Sequence, residues 1–343
     1  MKYTILGQGS YGCVITPPLG FKNNKLYISK IIKSKKKKIY NNELRISNKL
    51  KKIKDIDNHY CLINDVSKLH YRDIPKSLKD EKFLHSPDTC RIFGIDKEER
   101  NTQEYIAFQM PYCGDSINLE FLPKLDIKFI KHLLESLLIA KQKKIVIGDI
   151  KFENILIKKD HPRNPEIPVL IDFGGSQIIS SNKKKFIKNI ENLTTSDGFT
   201  APELLLYKSI LNNIYDDAST EKKAVELQTN IKYTDVIKTI KNKQPDDLSN
   251  ISYEICYNDS SKSIIKLNKF FSLFTDKTFT KNFVENYDKI IYKSDVYSLG
   301  RTFYDMYSTL KLKNKKMLYL ITHMIEYNYE KRFSIEECIK YFN

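Results

Sequence analysis

No stretch of this chain approaches eighteen consecutive apolar residues, so no membrane-spanning helix and no membrane partner are expected. The opening Met1-Lys2-Tyr3-Thr4-Ile5-Leu6 has no long apolar core, which excludes a secretory leader. The cysteines, at Cys13, Cys61, Cys90, Cys113, Cys256 and Cys338, include no CxxC pair. Neither zinc-type spacing nor a dense disulfide framework is therefore expected, and a reducing, cytoplasmic setting is the default. No internal repeat is evident. Tryptophan is absent, although Tyr and Phe are plentiful, and Lys, Asn and Ile dominate as in AT-rich coding.

What is present predicts a folded body. Apolar residues make up 41% of 343, enough for a two-lobed chain with a sizeable core. The 58 basic residues outweigh 42 acidic ones, for a formal net charge of +16. That excess favours acidic partners, and it leaves nucleic acid open. The densest run, 33–38, reads first as a solvated face. No aromatic-interleaved basic motif for single strands is present.

The most informative stretch is Ile147-Gly148-Asp149-Ile150-Lys151-Phe152-Glu153-Asn154. An acid, a cation two residues on and an amide five residues on share one polar loop between apolar runs. Eighteen residues past Asn154 another apolar run ends in Asp172-Phe173-Gly174. Two carboxylates and an amide near strand ends suit a hard metal ion and a phosphate. The plainer alternative is a pair of acids capping turns.

The chain opens on Leu6-Gly7-Gln8-Gly9-Ser10-Tyr11-Gly12-Cys13-Val14, which reads as strand-turn-strand with backbone able to approach a polyanion. Pro17, Pro18 and Gly20 rule out the following helix that a dinucleotide-binding loop needs. Residues 26–32 form a strand with Lys30 inside it. Glu43, on a helix with Leu44, Ile46 and Leu50, is a candidate partner for that lysine. Residues 55–90 read as loops and a helix fragment, 90–95 and 104–110 as two strands. Pro111 to Asp115 is a plausible linker.

A helix over 126–141 is capped by Asp126, with His132 beside its apolar stripe. Residues 204–294 read as a largely helical insertion, with apolar spacing at Ile231, Val236, Ile237 and Ile240. Further helices are expected over 294–306 with Ser294 as N-cap, over 317–327, and over 334–342.

Together these pieces resemble the eukaryotic-type protein kinases, in order and over nearly the whole chain except 55–90 and 204–294. The resemblance implies an α+β bilobal fold: a small antiparallel β-sheet N-lobe (1–110), a hinge (111–114) and a mainly helical C-lobe (115–343) with an insertion at about 207–290. Leu6 and Gly7-Gln8-Gly9-Ser10-Tyr11-Gly12-Cys13-Val14 correspond to the glycine-rich phosphate cover. Lys30 corresponds to the strand lysine and Glu43 to its helix partner. Asp149 and Lys151 correspond to the catalytic pair, Asn154 and Asp172 to the Mg²⁺ ligands. Met110 and Tyr112 belong to the adenine-facing linker, with Met110 expected to gate the pocket. Ala201-Pro202-Glu203 closes the activation segment, and Asp295 and Arg332 are structural anchors.

The implied activity is ATP- and Mg²⁺-dependent phosphorylation of serine or threonine in a protein substrate, because tyrosine kinases usually lack a lysine at the Lys151 position, and the net charge favours an acidic substrate. The alternatives are an ATP-binding pseudokinase scaffold with a basic partner surface, and a kinase of small molecules or nucleic acid. The sequence departs from the family at Ile147 and Gly148, where the family has His-Arg. Gly148 cannot pair with a phosphorylated activation loop, so activity independent of such phosphorylation is expected. Ser196 falls where the family has a threonine facing the catalytic loop. Little precedes the first strand or follows Arg332, so control is expected from the insertion, from 55–90 or from a partner. The compact, divergent sequence is similar to kinases of large DNA viruses, which implies host cytoplasm or virion; the oligomeric state is left open.

Overall fold

A computed structural model describes the chain except residues 1, 10, 11, 23, 25, 80–88, 95–101, 118–125, 159–165, 217, 221, 222, 224, 225, 229, 242–259, 310–313 and 343. Five antiparallel strands build the first lobe: β1 (Thr4–Gln8), β2 (Gly12–Thr16), β3 (Tyr27–Lys33), β4 (Asp65–His70) and β5 (Glu104–Pro111). They lie in the order β1-β2-β3-β5-β4. The register sets Val14, Lys30, Phe108 and Val66 side by side across four strands. Directly opposed residues of an antiparallel pair share a face, so one row of side chains runs across the sheet at Lys30. Helix α1 (Lys37–Leu50) covers this face, with Tyr40 and Leu44 packed against the cluster that holds Phe108.

The second lobe is mainly helical, and the bilobal fold implied by the resemblance is the one observed. Helix α2 (Ile127–Gln142) starts where Asp126 accepts from the amides of Lys128 and Phe129, as expected of an N-cap. Short strands flank it in the chain: β6 (Asp115–Ser116), before the helix, forms one sheet with β8 (Ile155–Lys158) and β9 (Ile167–Leu170), and β7 (Ile145–Val146) and β10 (Gln177–Ile178) form another. They bracket the loop 147–154 and the turn at Asp172. Then come α3 (Lys183–Asn192), α4 (Pro202–Asp216), α5 (Tyr233–Lys241), α6 (Ser260–Ser272), α7 (Lys277–Ile290), α8 (Tyr292–Thr309), α9 (Lys315–Met324) and α10 (Ile335–Lys340). Helices fill much of the predicted insertion; part of it, 242–259, lies outside the described residues. No helix among the described residues is long and apolar enough to cross a membrane.

Several expectations are corrected. Residues 90–94 do not supply a strand, and Ile95 lies outside the described residues. Arg91–Phe93 is a single 3-10 turn, with Ile92 and Phe93 buried and Phe93 edge-on to Tyr105 at 5.1 Å. The fifth strand is β4, from the stretch read as loops; only Leu69 is buried in it, so its alternation is weak. Helix α8 begins at Tyr292, two residues before the predicted cap. The Ser294 hydroxyl donates to the carbonyl of Ile291 instead of accepting from an amide, because the chain runs almost without a break out of α7. Asn314 caps α9, and Ser334 with Glu337 forms a capping box on α10. Four of the scattered cysteines meet in pairs. The fold joins Cys13 to Cys90 and Cys61 to Cys113, with Cα separations of 6.0 and 5.9 Å, across 77 and 52 residues.

Candidate active site

The site sits where the Lys30 row of the sheet faces the loops of the second lobe. Lys30 Nζ reaches both Glu43 carboxylate oxygens at 2.9 Å and Asp172 Oδ1 at 2.8 Å. Glu43 is buried and also accepts from the amide of Phe173. Burial disfavours the Lys30 charge, but Asp172 and Glu43 outweigh it and hold the ammonium above the ordinary lysine range. Asp172 is held below its usual range chiefly by Lys30. For Glu43 burial is the larger influence and pushes its carboxyl up.

Asp172 has a φ of +61°, an uncommon conformation for a non-glycine residue. Its neighbours hold it there. Phe173 is fully buried edge-on to Tyr60 at 5.6 Å, and Ser176 donates to the carbonyl of Ile147 at 2.7 Å. Asn42 donates to the carbonyls of Gly174 and Ser176, tying α1 to this turn. The sequence reading missed Asn42; an amide adjacent to Glu43 on the same helix was the available signal.

The loop 147–154 is assembled from its own backbone outward. Asn154 Nδ2 donates to the Asp149 carbonyl at 2.8 Å and to Asp149 Oδ2 at 3.1 Å, which closes the loop on itself. Lys151 Nζ lies 3.2 Å from Asp149 Oδ2 and 2.6 Å from Ser196 Oγ, and Ser196 donates to Asp149 Oδ1 at 2.5 Å. Asp149, Lys151, Asn154 and Ser196 therefore form one connected polar group.

Helix α8 holds this loop from below. Asp295 accepts from the amides of Ile147 and Gly148 at 2.9 and 2.8 Å. Burial pushes its carboxyl up to about 7, with those two donors working against it. On the same helix, Ser298 donates to the Phe199 carbonyl, Arg301 to that of Gly198 and Thr302 to that of Ile150. These three were also missed, although polar residues recurring at helical spacing in an otherwise apolar helix were legible.

Gly148 has a φ of +84°, and a Cβ there would stand 2.7 Å from both Leu193 Cδ1 and the Thr194 carbonyl oxygen. Leu193 is buried, and the Thr194 amide donates to the carbonyl of Gly175. The segment after α3 is thus pressed directly onto the loop where the family carries an arginine. Glu203 and Arg332 form a fully buried pair, as expected of scaffold.

The glycine-rich hairpin is present over the described residues. The Gly9 amide donates to the Gly12 carbonyl, and a Cβ on Gly12 would fall 2.6 Å from the Ile31 oxygen. Cys13 and Val14 lie on β2, and Leu6, Gly7 and Gln8 on β1. Gln8 also accepts from the amide of Arg91. Ser10 and Tyr11, assigned to the same cover, lie outside the described residues. At the linker the register orders the apolar residues of β5. Phe108, fully buried, stands opposite Lys30, whereas Met110 stands opposite Ile28, two residues nearer the linker. Phe108 is thus the residue directly beside Lys30, and Met110, two residues on and on the same face, is buried beside Ile28 at the linker end of that row. Tyr112 is half-exposed; its amide is taken by the Leu26 carbonyl and its hydroxyl by Asp115. Ile28, Met110, Val169 and Phe108 share one apolar cluster, with Val14, Leu156 and Ile171 packed against it from both lobes.

Two oxygen atoms suit a hard cation: Asn154 Oδ1 and Asp172 Oδ2 take no hydrogen bond among the described residues. No group of three or more His, Cys, Asp or Glu side chains forms a metal cage among those residues. Mg²⁺ does not need one, because it keeps waters and takes phosphate oxygens alongside one or two protein ligands. The residues present fit that ion.

A family model of the protein kinase domain matches residues 1–342. No curated protein matches the chain.

Proposed function

This chain belongs to the protein kinase domain family, and we propose that it is an active serine/threonine kinase using Mg-ATP. The observation that carries the reading is the connected group Asp149–Lys151–Ser196–Asn154 facing the Lys30–Asp172–Glu43 triad. Phosphoryl transfer needs positioned reactants and neutralised charge more than covalent help. Bound Mg²⁺ would neutralise phosphate charge, with Asn154 and Asp172 as its protein ligands. Lys30, braced by Glu43, grips the α- and β-phosphates. Asp149 orients the acceptor hydroxyl and takes up its proton. Lys151, already beside Asp149, stabilises charge on the γ-phosphate. The apolar cluster of Val14, Ile28 and Met110 faces Leu156 and Ile171 and receives the adenine ring.

Control follows from Gly148. Leu193 and Thr194 occupy the space beside it, Lys208 donates to the Leu193 carbonyl and Lys151 to Ser196, so the segment 193–196 is held in place unphosphorylated. The test is transfer from labelled ATP with Mg²⁺ to acidic and basic carrier proteins, beside Asp149→Ala. Label on serine or threonine that disappears with Asp149→Ala is expected. Label on no protein, the chain itself included, would instead indicate a pseudokinase. Phosphatase-treated chain is expected to keep its activity. A collapse restored by acidic substitutions at Thr194 and Thr195 would refute phosphorylation-independent control.

A further inference from the structure

Away from the catalytic cleft, the second lobe contains a cavity of about 860 Å³, within the range of ligand-binding pockets, roughly 300–1,000 Å³. Its walls come from segments far apart in sequence: Ser180 and Ser181 with α3 on one side, the stretch before α5 and helix α7 on the other. Lys183, Lys232, Lys277 and Lys281 converge on it from three elements. Lys183, Lys232 and Lys277 form no ion pair among the described residues. Lys281 lies 3.9 Å from Glu285 across exposed side chains. Two carboxylates, Glu285 and Asp288, also line the cavity.

The floor is aromatic and already packed. Tyr207 stacks on Tyr287 at 3.9 Å, and Phe186 stands edge-on to both at 6.2 Å. All three rings are buried, so they form a rigid base and not a free stacking platform for nucleobases. The two carboxylates would also repel a continuous phosphate backbone. They suit a chain that offers separated acidic side chains together with its own N–H donors. We propose that this cavity is a docking site for an acidic segment of the protein substrate. The inference rests on the kinase reading and deepens it.

The placement links docking to chemistry. Helix α3 runs from the cavity wall to Leu193, which presses on Gly148 beside Asp149. Its ten residues span about 15 Å. About five residues of extended peptide cover that distance, so the acidic segment lies at least about that far from the acceptor hydroxyl.

The test uses the full chain without nucleotide and a fluorescein-labelled decapeptide of alternating Glu and Tyr, read by anisotropy. The triple variant Lys232→Ala, Lys277→Ala, Lys281→Ala is expected to weaken binding roughly 30-fold, at about 3-fold per exposed charge. Asp288→Asn is expected to tighten it, a gain that no misfolded variant would give. In turnover assays the triple variant should raise KM for an acidic protein substrate and leave kcat unchanged. Unaltered peptide binding in the triple variant overturns the proposal. So does equal binding of a Lys/Tyr decapeptide, or tighter binding of a ten-residue oligothymidylate, which would reassign the cavity to nucleic acid. Lysine-dependent peptide binding with no phosphoryl transfer would keep the site and sink the kinase reading. Transfer with an unchanged KM would do the reverse.

Discussion

Lys30 and Arg332 are both cations held by a buried glutamate at hydrogen-bond distance, one at the cleft and one at the base of the second lobe. At the base, all five guanidinium N–H groups are used: two by Glu203, the rest by the carbonyls of Lys293, Glu326 and Tyr327. Both side chains of that pair are fully buried. At the cleft, Lys30 is 14% exposed, and its second partner, Asp172, is 45% exposed with one carboxylate oxygen unclaimed. A saturated pair can only hold structure. A pair whose outer member keeps an open oxygen at a cleft can also take a ligand.

The comparison breaks most visibly at the base. Arg332→Met should destabilise the chain by about 3–5 kcal/mol, because Glu203 is left buried and unpaired. Chemical denaturation would show this, and turnover per folded molecule should stay near that of the parent. Asp172→Asn should behave in the opposite way. Transfer should fall on the order of 10²-fold or more, while stability moves by less than about 1 kcal/mol, since the lost partner is exposed and Lys30 retains Glu43. A large loss of stability there would erase the distinction between the pairs.

Two positive-φ glycines sharpen it further. Gly148→Ala and Gly198→Ala both force a left-handed alanine, which costs about 1–2 kcal/mol. Only Gly148 also meets Leu193 and Thr194; a Cβ on Gly198 meets nothing within 4 Å. Gly148→Ala should therefore lower the melting temperature further, and only it should impair transfer. Equal shifts would show that the contact with 193–194 contributes nothing.

The smallest effect concerns the joint between the lobes. His59 stacks on His132 at 4.6 Å and shares a hydrogen bond with Ser136. Burial, with His132 adding to it, lowers its pKa to about 4, against about 6.5 in an unfolded chain. Between those values the unfolded chain binds the extra proton, so stability is lost as pH falls from about 6.5 toward 4. The ring is partly exposed, so the loss is about 1 kcal/mol. His59→Phe should flatten that part of the melting-temperature profile.

Some of this was legible from residue types at short spacing. Asp149, Lys151 and Asn154 interact within six positions, and the Asp126 cap within three. Lys30 and Glu43 were legible because a lysine inside an apolar strand requires a partner. Other features depended on register or on distant contacts. Phe108 stands opposite Lys30, and Met110 opposite Ile28, because β3 and β5 pair that way, and strand pairing is not written in either strand alone. Strand β4 was missed because only Leu69 in it is buried.

The sequence by itself determined the chemical groups and their local order: the glycine hairpin, the acid, cation and amide of one loop, and the second acid before Phe173-Gly174. Those follow from what each side chain can donate, accept or ligate. Only the tertiary structure decided which groups meet. It set Ser196 on Asp149 and Leu193 on Gly148, hung the loop 147–154 from Asp295 on a helix nearly 150 residues away, and gathered four lysines from three elements around one cavity. Contacts of that range are settled by packing around a shared core, and a short window of sequence holds only one of their partners.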